Sequence, residues 1–297
     1  MAKLTKMDWT ELRTRKERAA ERAAEVLKTL KFRESRVDPL VVAKSEAPLL
    51  KVKSGNFKNH FDGQLEYHKP QNRFLLLYND KYDRFAASGT HHPRTRFTIS
   101  HELGHYFLEP HHTYLVRGGK SHGSKGEYSS PIMMEREADA FAAALLMPER
   151  IMGEWVNEGD LTLENIEEWA RVFDTSLTST AKRAIDLSHF PAAVVPLKGG
   201  VTRMYHVSDA MIEGGCYPRP SGSPLPPNAQ KVWREFEAGV VQKSKGQSYV
   251  GDWFQTYRSE DQKFLPVFEH YLPIPVMEMV LVVVTVPEDE LFPDVDD

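Results

Sequence analysis

Two segments between Arg94 and Pro148 constrain this chain most, because both read as helices and both carry groups that can meet at one point. The first, about Arg94 to Leu108, holds His101, Glu102 and His105 in the pattern His-Glu-x-x-His. Residues at i and i+4 share a helix face one turn apart, so both imidazoles can aim a nitrogen at one ion. That donor pair suits Zn2+, with Glu102 beside the metal position where it can take a proton from a bound water. Gly104 costs about 1 kcal/mol against alanine in a helix, so its presence there predicts the close approach of another element.

The second segment runs from Pro131 to Met147, is stopped by Pro148, and carries Glu135, Glu137 and Asp139. Glu135 and Asp139 are i, i+4 neighbours, whereas Glu137 lies about 200° from Glu135 around a regular helix. The spacing predicts Glu135 as third ligand and Asp139 as acceptor for the second N–H of a ligand histidine. Acids are favourable at a helix N-terminus anyway, but that does not explain an Asp followed by Ala140, Phe141, Ala142 and Ala143. A rival scheme takes His111, ten residues after His101, as the third ligand in H-E-x-x-H-x-x-G-x-x-H. Leu108 stands where that motif needs glycine for its turn, which disfavours it. The plain alternative is two surface histidines, since in a chain with 12 His a chance H-E-x-x-H arises in about a few per cent of random orderings.

The run His101-Glu-Leu-Gly-His105 followed by Glu135-Arg-Glu-Ala-Asp139-Ala-Phe-Ala-Ala-Ala-Leu-Leu-Met-Pro148 resembles the ImmA/IrrE-type zinc metallopeptidases over residues 38–150. The resemblance implies His101, His105 and Glu135 as metal ligands and Glu102 as catalytic acid–base. It implies a zinc metallo-endopeptidase, gluzincin-like, that cleaves a cognate helix-turn-helix transcriptional repressor and so derepresses a stress, DNA-damage or anti-phage operon. The order of segments is similar to the IrrE/CapP-like layout, in which a C-terminal GAF-like domain regulates the peptidase and single-stranded DNA is a possible activator. The long segment 109–130 departs from that pattern and puts lid geometry and substrate contacts in doubt.

The expected class is α+β: a zincin-like metallopeptidase domain (1–150), a helix-turn-helix-like unit (151–189) and a GAF-like α/β sensor domain (190–297). Trp9 to Leu30 lacks Gly and Pro and shows an apolar stripe at Leu12, Ala19, Ala23, Val26, Leu27 and Leu30. Asp38 and Pro39 suit the start of a short second helix. Strands are expected at Leu49–Val52, Gln64–His68 and Arg73–Tyr78, and Glu109 to Ser130 reads as a long polar loop. Leu163–Val172 and Leu177–Leu187 form the helix-turn-helix-like pair. Beyond it, Ala192–Leu197, Val201–Val207 and Met277–Val286 read as strands and Val232–Val241 as a helix.

Net charge is 38 − 42 = −4, so there is no global pull toward nucleic acid. Locally, residues 1–36 hold 11 Lys/Arg against 6 Asp/Glu, and Lys51, Lys53, Lys58, Arg94 and Arg96 add to the basic set. A DNA-binding regulator with a merely sensory zinc site is therefore a second reading, and a closed structural zinc site a third. One cysteine precludes an internal disulfide and fits a reducing compartment. No apolar run approaches the ~20 residues of a membrane span, so a cytoplasmic location is expected. That cysteine, Cys216, lies in a Gly/Pro-rich stretch, Gly214 to Asn228. As a possible inhibitory zinc ligand it could fold back on the metal; the plain alternative is an incidental thiol.

Overall fold

The computed structural model describes residues 6–87, 89–119, 133–159 and 161–292, which form two compact units. Unit 1 comprises Met1–Glu149 with Arg171–Ser176, and unit 2 Arg150–Ala170 with Leu177–Asp297. The expected helix-turn-helix-like segment 151–189 is thus shared between them.

Unit 1 opens with α1 (Lys6–Thr29). Its Leu12, Ala19, Ala23, Val26 and Leu27 are buried, the spacing a helix needs to bury one stripe. The basic residues opposite are laced to acids: Arg13 pairs with Glu17, Arg15 with Glu11 and Arg22 with Glu25. Helix α2 (Pro39–Ser45) starts on Asp38, whose side chain accepts from the Leu40 N–H at 2.9 Å. Strands β1 (Leu50–Gly55), β2 (Gly63–His68) and β3 (Arg73–Asn79) follow, in the spatial order β1-β3-β2. β1 runs parallel to β3 and β2 antiparallel to it. Alternate residues Phe74, Leu76 and Tyr78 of β3 are buried, as a half-covered sheet requires. The turn from β2 to β3 ends on Asn72 at φ 46°, a left-handed position that asparagine tolerates.

Helix α3 (Pro93–Phe107) packs on β2 and β3. Pro93 sits in its first turn, and the His92 ring nitrogen accepts from the Arg94 N–H. Helix α4 (Glu109–Val116) follows at once, and α5 (Met133–Leu146) packs between α1 and α3. The loop expected from Glu109 to Ser130 is corrected here, because it begins as α4. Pro110 ends α3, yet it suits the first turn of a new helix, where no N–H partner is required. The remainder of that loop, 120–130, lies outside the described residues. The core joins Ile99 and Leu103 of α3 to Phe141 and Leu145 of α5 and to the buried residues of α1 and the sheet. Burying Phe141 fully contributes about 1.5–3 kcal/mol.

Two of the basic residues singled out in the sequence are used internally. Arg96 is buried and donates to the carbonyls of Val37, Phe173 and Asp174, tying residues 171–176 to α3. Arg94 pairs with the buried Asp62 at 2.7 Å.

Unit 2 holds α6 (Glu149–Asn157), most of α7 (Leu163–Phe173) and α8 (Leu177–Leu187). Lys182 and Arg183, the basic residues of α8 that a DNA-reading helix would expose, are buried. Next come β4 (Ala192–Lys198), β5 (Val201–Thr202), β6 (His206–Val207), α9 (Asp209–Glu213), β7 (Cys216–Pro218) and α10 (Pro227–Glu237). They are followed by β8 (Ser244–Tyr249), α11 (Val250–Trp253), β9 (Phe254–Thr256), β10 (Pro266–Ile274), β11 (Met279–Thr285) and α12 (Glu288–Leu291). The main sheet has the order β5-β4-β11-β10-β8, with β6 also on β4. The single strand expected over Val201–Val207 is two short ones, broken where the Arg203 N–H turns to the Pro196 carbonyl. β4 and β11 are buried almost throughout, as strands covered on both faces are.

The expected flexible loop around Cys216 is also corrected. Cys216 starts β7, which pairs with β9, and it is fully buried in the unit 2 core. Burial pushes its thiol up to about 11, which disfavours the thiolate that binds zinc. Its sulfur lies 3.6 Å from Gln262 Nε2. Among the described residues no helix is long and apolar enough to cross a membrane.

Candidate metal centre

One turn of α3 sets His101 above His105, and Gly104 between them, facing Ala138 of helix α5, decides how close the helices come. A Cβ on Gly104 would lie 3.0 Å from the Ala138 Cα and 3.2 Å from its carbonyl oxygen. Gly104 is therefore where α5 touches α3, and Ala138 lies between Glu135 and Asp139 on the facing helix. Gly104→Ala should destabilise the metal-free protein by about 1–3 kcal/mol through overpacking, although alanine is the better helix former. Urea unfolding checks this; equal or greater stability would show that α5 can retreat without loss.

That contact brings one oxygen of Glu135 to 3.3 Å from His101 Nε2 and the other to 3.3 Å from His105 Nε2. The two Nε2 atoms are 3.2 Å apart. Among the described residues these three form a buried group able to hold a metal ion, their donor atoms lying within 4.8 Å of one another. Zinc bonds of about 2.0–2.1 Å at tetrahedral angles separate donor atoms by about 3.3 Å. The separations among the two Nε2 atoms and the two Glu135 oxygens are close to that figure, so the cluster is compatible with zinc. The donor chemistry agrees, since two imidazoles and a carboxylate with one direction left open are the set of a catalytic zinc site.

The far nitrogens of both histidines are occupied. His101 Nδ1–H donates to Asp139 Oδ1 at 2.9 Å, the partnership read from the i, i+4 spacing. Burial opposes a charge on His101, but hydrogen bonds to Asp139 and Glu135 and the nearby Glu102 carboxylate outweigh it and raise its pKa well above the ordinary value. His105 Nδ1 lies 3.1 Å from His111 Nδ1, and His111 Nε2 lies 2.9 Å from Glu137 Oε2. His111 thus stands behind His105, on the side away from Glu135, and is not part of the triangle. Burial and the neighbouring His105 lower its pKa despite Glu137, which favours the neutral ring.

Glu102 is 1 % exposed and lines a small open cleft with His105, His111, Leu65, Tyr114, Leu115 and Met134. Gly63, at the start of the edge strand β2, packs on it: a Cβ there would come within 2.7 Å of Glu102 Oε1. Of the residues able to polarise a substrate carbonyl near the His-Glu-x-x-His run (Tyr106, His111, His112 and Tyr128), Tyr106 donates to Glu46 instead, and burial raises its pKa to about 12. His112 meets the Tyr106 carbonyl and lies tilted against the Phe74 ring. Tyr128 lies outside the described residues. Cys216 is not a member of the three-residue group.

The pair His111–Glu137 was not legible as a pair. Both residues stood out, one as a rival ligand and one as facing away from Glu135, and the signal available was that each had lost its first role. Tyr114 was hidden because α4 read as loop.

Residues 85–184 match the family model described as the IrrE N-terminal-like domain, Peptidase_M78. No curated protein matches the chain. A solved structure, a Mycobacterium tuberculosis transcriptional regulator, is similar with a TM-score of 0.55 at 12% identity. The alignment covers 97% of this chain and 85% of that one, and at such identity the likeness concerns the fold alone. Residues 85–184, which hold His101, Glu102, His105 and Glu135, are therefore similar to the IrrE N-terminal-like domain, Peptidase_M78.

Proposed function

We propose that this protein is a zinc-dependent endopeptidase that cleaves a helix-turn-helix transcriptional repressor. The observation that carries the reading is the buried cluster of His101, His105 and Glu135, whose donor atoms lie close enough together to hold one ion, with the buried Glu102 next to His101 on the same helix. Zinc held there would polarise the peptide carbonyl and lower the pKa of water toward ~7. Glu102 takes the proton of the attacking water on its carboxylate and returns it to the departing amine. Gly63, by lacking a side chain, leaves the room that the Glu102 carboxylate occupies. Asp139 fixes the tautomer of His101.

The cleft wall of Leu65, Leu115 and Met134 suits a large apolar side chain next to the scissile bond. Tyr114 carries the one hydroxyl among the described residues lining it, and is the candidate to steady the carbonyl oxygen. A transcriptional role is supported by the M78 domain and by the regulator-like fold, and the C-terminal unit would then be the regulatory domain. The purified zinc-loaded chain, mixed with the product of an adjacent repressor-like gene, should cut it once, beside a large apolar residue, as mass spectrometry would show. Single-stranded DNA added in a parallel arm tests activation. An intact repressor in every arm, with zinc bound, would reject the substrate while leaving the metal site standing.

A further inference from the structure

The two ligand histidines are held in different ways. Each must turn Nε2 to the metal position, so each has a buried Nδ1–H that needs an acceptor. His101 finds a carboxylate, Asp139. His105 finds a second imidazole, His111, at 3.1 Å. An imidazole accepts at Nδ1 only if its proton is on Nε2, and His111 Nε2 faces Glu137 Oε2 at 2.9 Å. A carboxylate accepts and does not donate, so Glu137 sets that tautomer. Glu137 is itself steadied from α1 by Arg15, 3.4 Å from its other oxygen. Every proton in the row has one consistent place: His105 Nδ1–H to His111 Nδ1, and His111 Nε2–H to Glu137.

We infer that His111 and Glu137 are positioning residues that act through His105, fixing its tautomer and strength as a zinc ligand from outside the metal's reach. The arrangement sets Glu137's negative charge one ring further from the ion than Asp139's. It also gives α4 a task, since α4 packs on α3 and carries His111 to His105 after the break at Leu108. The inference rests on the zinc reading above.

The test measures zinc affinity of the full chain by chelator competition, for the wild type, His111→Leu, His111→Gln, Glu137→Leu and the double leucine variant. Loss of an outer partner typically weakens metal binding 10–100-fold. His111→Leu and Glu137→Leu should each fall in that range, and the double variant should be no weaker than His111→Leu, because one row is broken once. His111→Gln should recover most of the affinity, its amide oxygen accepting from His105 and its NH2 donating to Glu137. Urea unfolding of the metal-free forms identifies any variant that fails to fold; Glu137→Leu then supplies the break in place of His111→Leu.

Wild-type affinity in the folded leucine variants, or a glutamine variant as weak as the leucine one, overturns the relay alone. Complete loss of zinc from a folded His111→Leu protein overturns it too, by making His111 a direct ligand. A wild-type chain that binds no zinc removes the peptidase reading together with the relay.

Discussion

Glu102→Gln should lower peptidase turnover by about 10²–10⁴-fold while the protein still binds one zinc per chain. By transition-state arithmetic that loss is about 3–5 kcal/mol. Glutamine keeps the shape of the side chain, which matters where Glu102 packs closely against Gly63. It removes the basic oxygen and hence the route by which a proton leaves the attacking water. Because Glu102 is outside the triangle of His101, His105 and Glu135, the metal should stay. Metal analysis and single-turnover cleavage read the two halves separately. A variant with normal turnover would remove Glu102 from the chemistry. One without zinc would show that the residue helps build the site.

Glu135→Gln should do the reverse and empty the site. Structural zinc sites gain about 10–16 kcal/mol from typically four ligands, so one ligand accounts for roughly a quarter, or two to three decades of affinity. Here the loss also takes away the anionic member of a donor set whose other two members are neutral. Zinc should then raise the unfolding temperature of the wild type and not of the variant, since a ligand stabilises only the form that binds it. Zinc retained at wild-type affinity after Glu135→Gln would falsify the assignment of this residue, and with it the gluzincin-like reading.

The contrast between these two carboxylates shows which parts of the site are local. Glu102 and the histidines sit on one helix, so their relation follows from a fixed repeat of 3.6 residues. Glu135 and Asp139 follow from the same repeat on a second helix. Gly104 was an anomaly in propensity that pointed to a close neighbour, and the neighbour is the backbone of Ala138. The caps at Asp38 and His92–Pro93 likewise depend on residues next to one another. Strands β8 and β10 were not anticipated: Ser244–Tyr249 is polar, and Pro266–Ile274 mixes Pro, Glu269 and His270 with apolar residues. Glu269 is fully buried because Trp253, Ser248 and Asn228 donate to it, a compensation that no local pattern reveals.

Cys216 makes the same point from the other side. Gly214, Gly215 and the prolines around it have the composition of a mobile loop. Pairing with β9 and burial beneath the sheet turn the same residues into a strand with an inert thiol. The basic residues Arg96, Lys182 and Arg183 were available to nucleic acid only while their burial was unknown.

The sequence by itself determined that two helices carry His101, Glu102, His105, Glu135 and Asp139 on faces that can share one ion, because helical periodicity depends on spacing alone. The tertiary structure decided how far apart those faces stand and what stands behind them. The 3.2–3.3 Å approaches among His101, His105 and the two oxygens of Glu135 depend on α5 meeting α3 at Gly104. The row from His105 through His111 to Glu137 depends on α4 packing where composition suggested loop. Contacts between residues 26 positions apart, as His111 and Glu137 are, are set by burial and packing of whole elements, and that information is not written at either position.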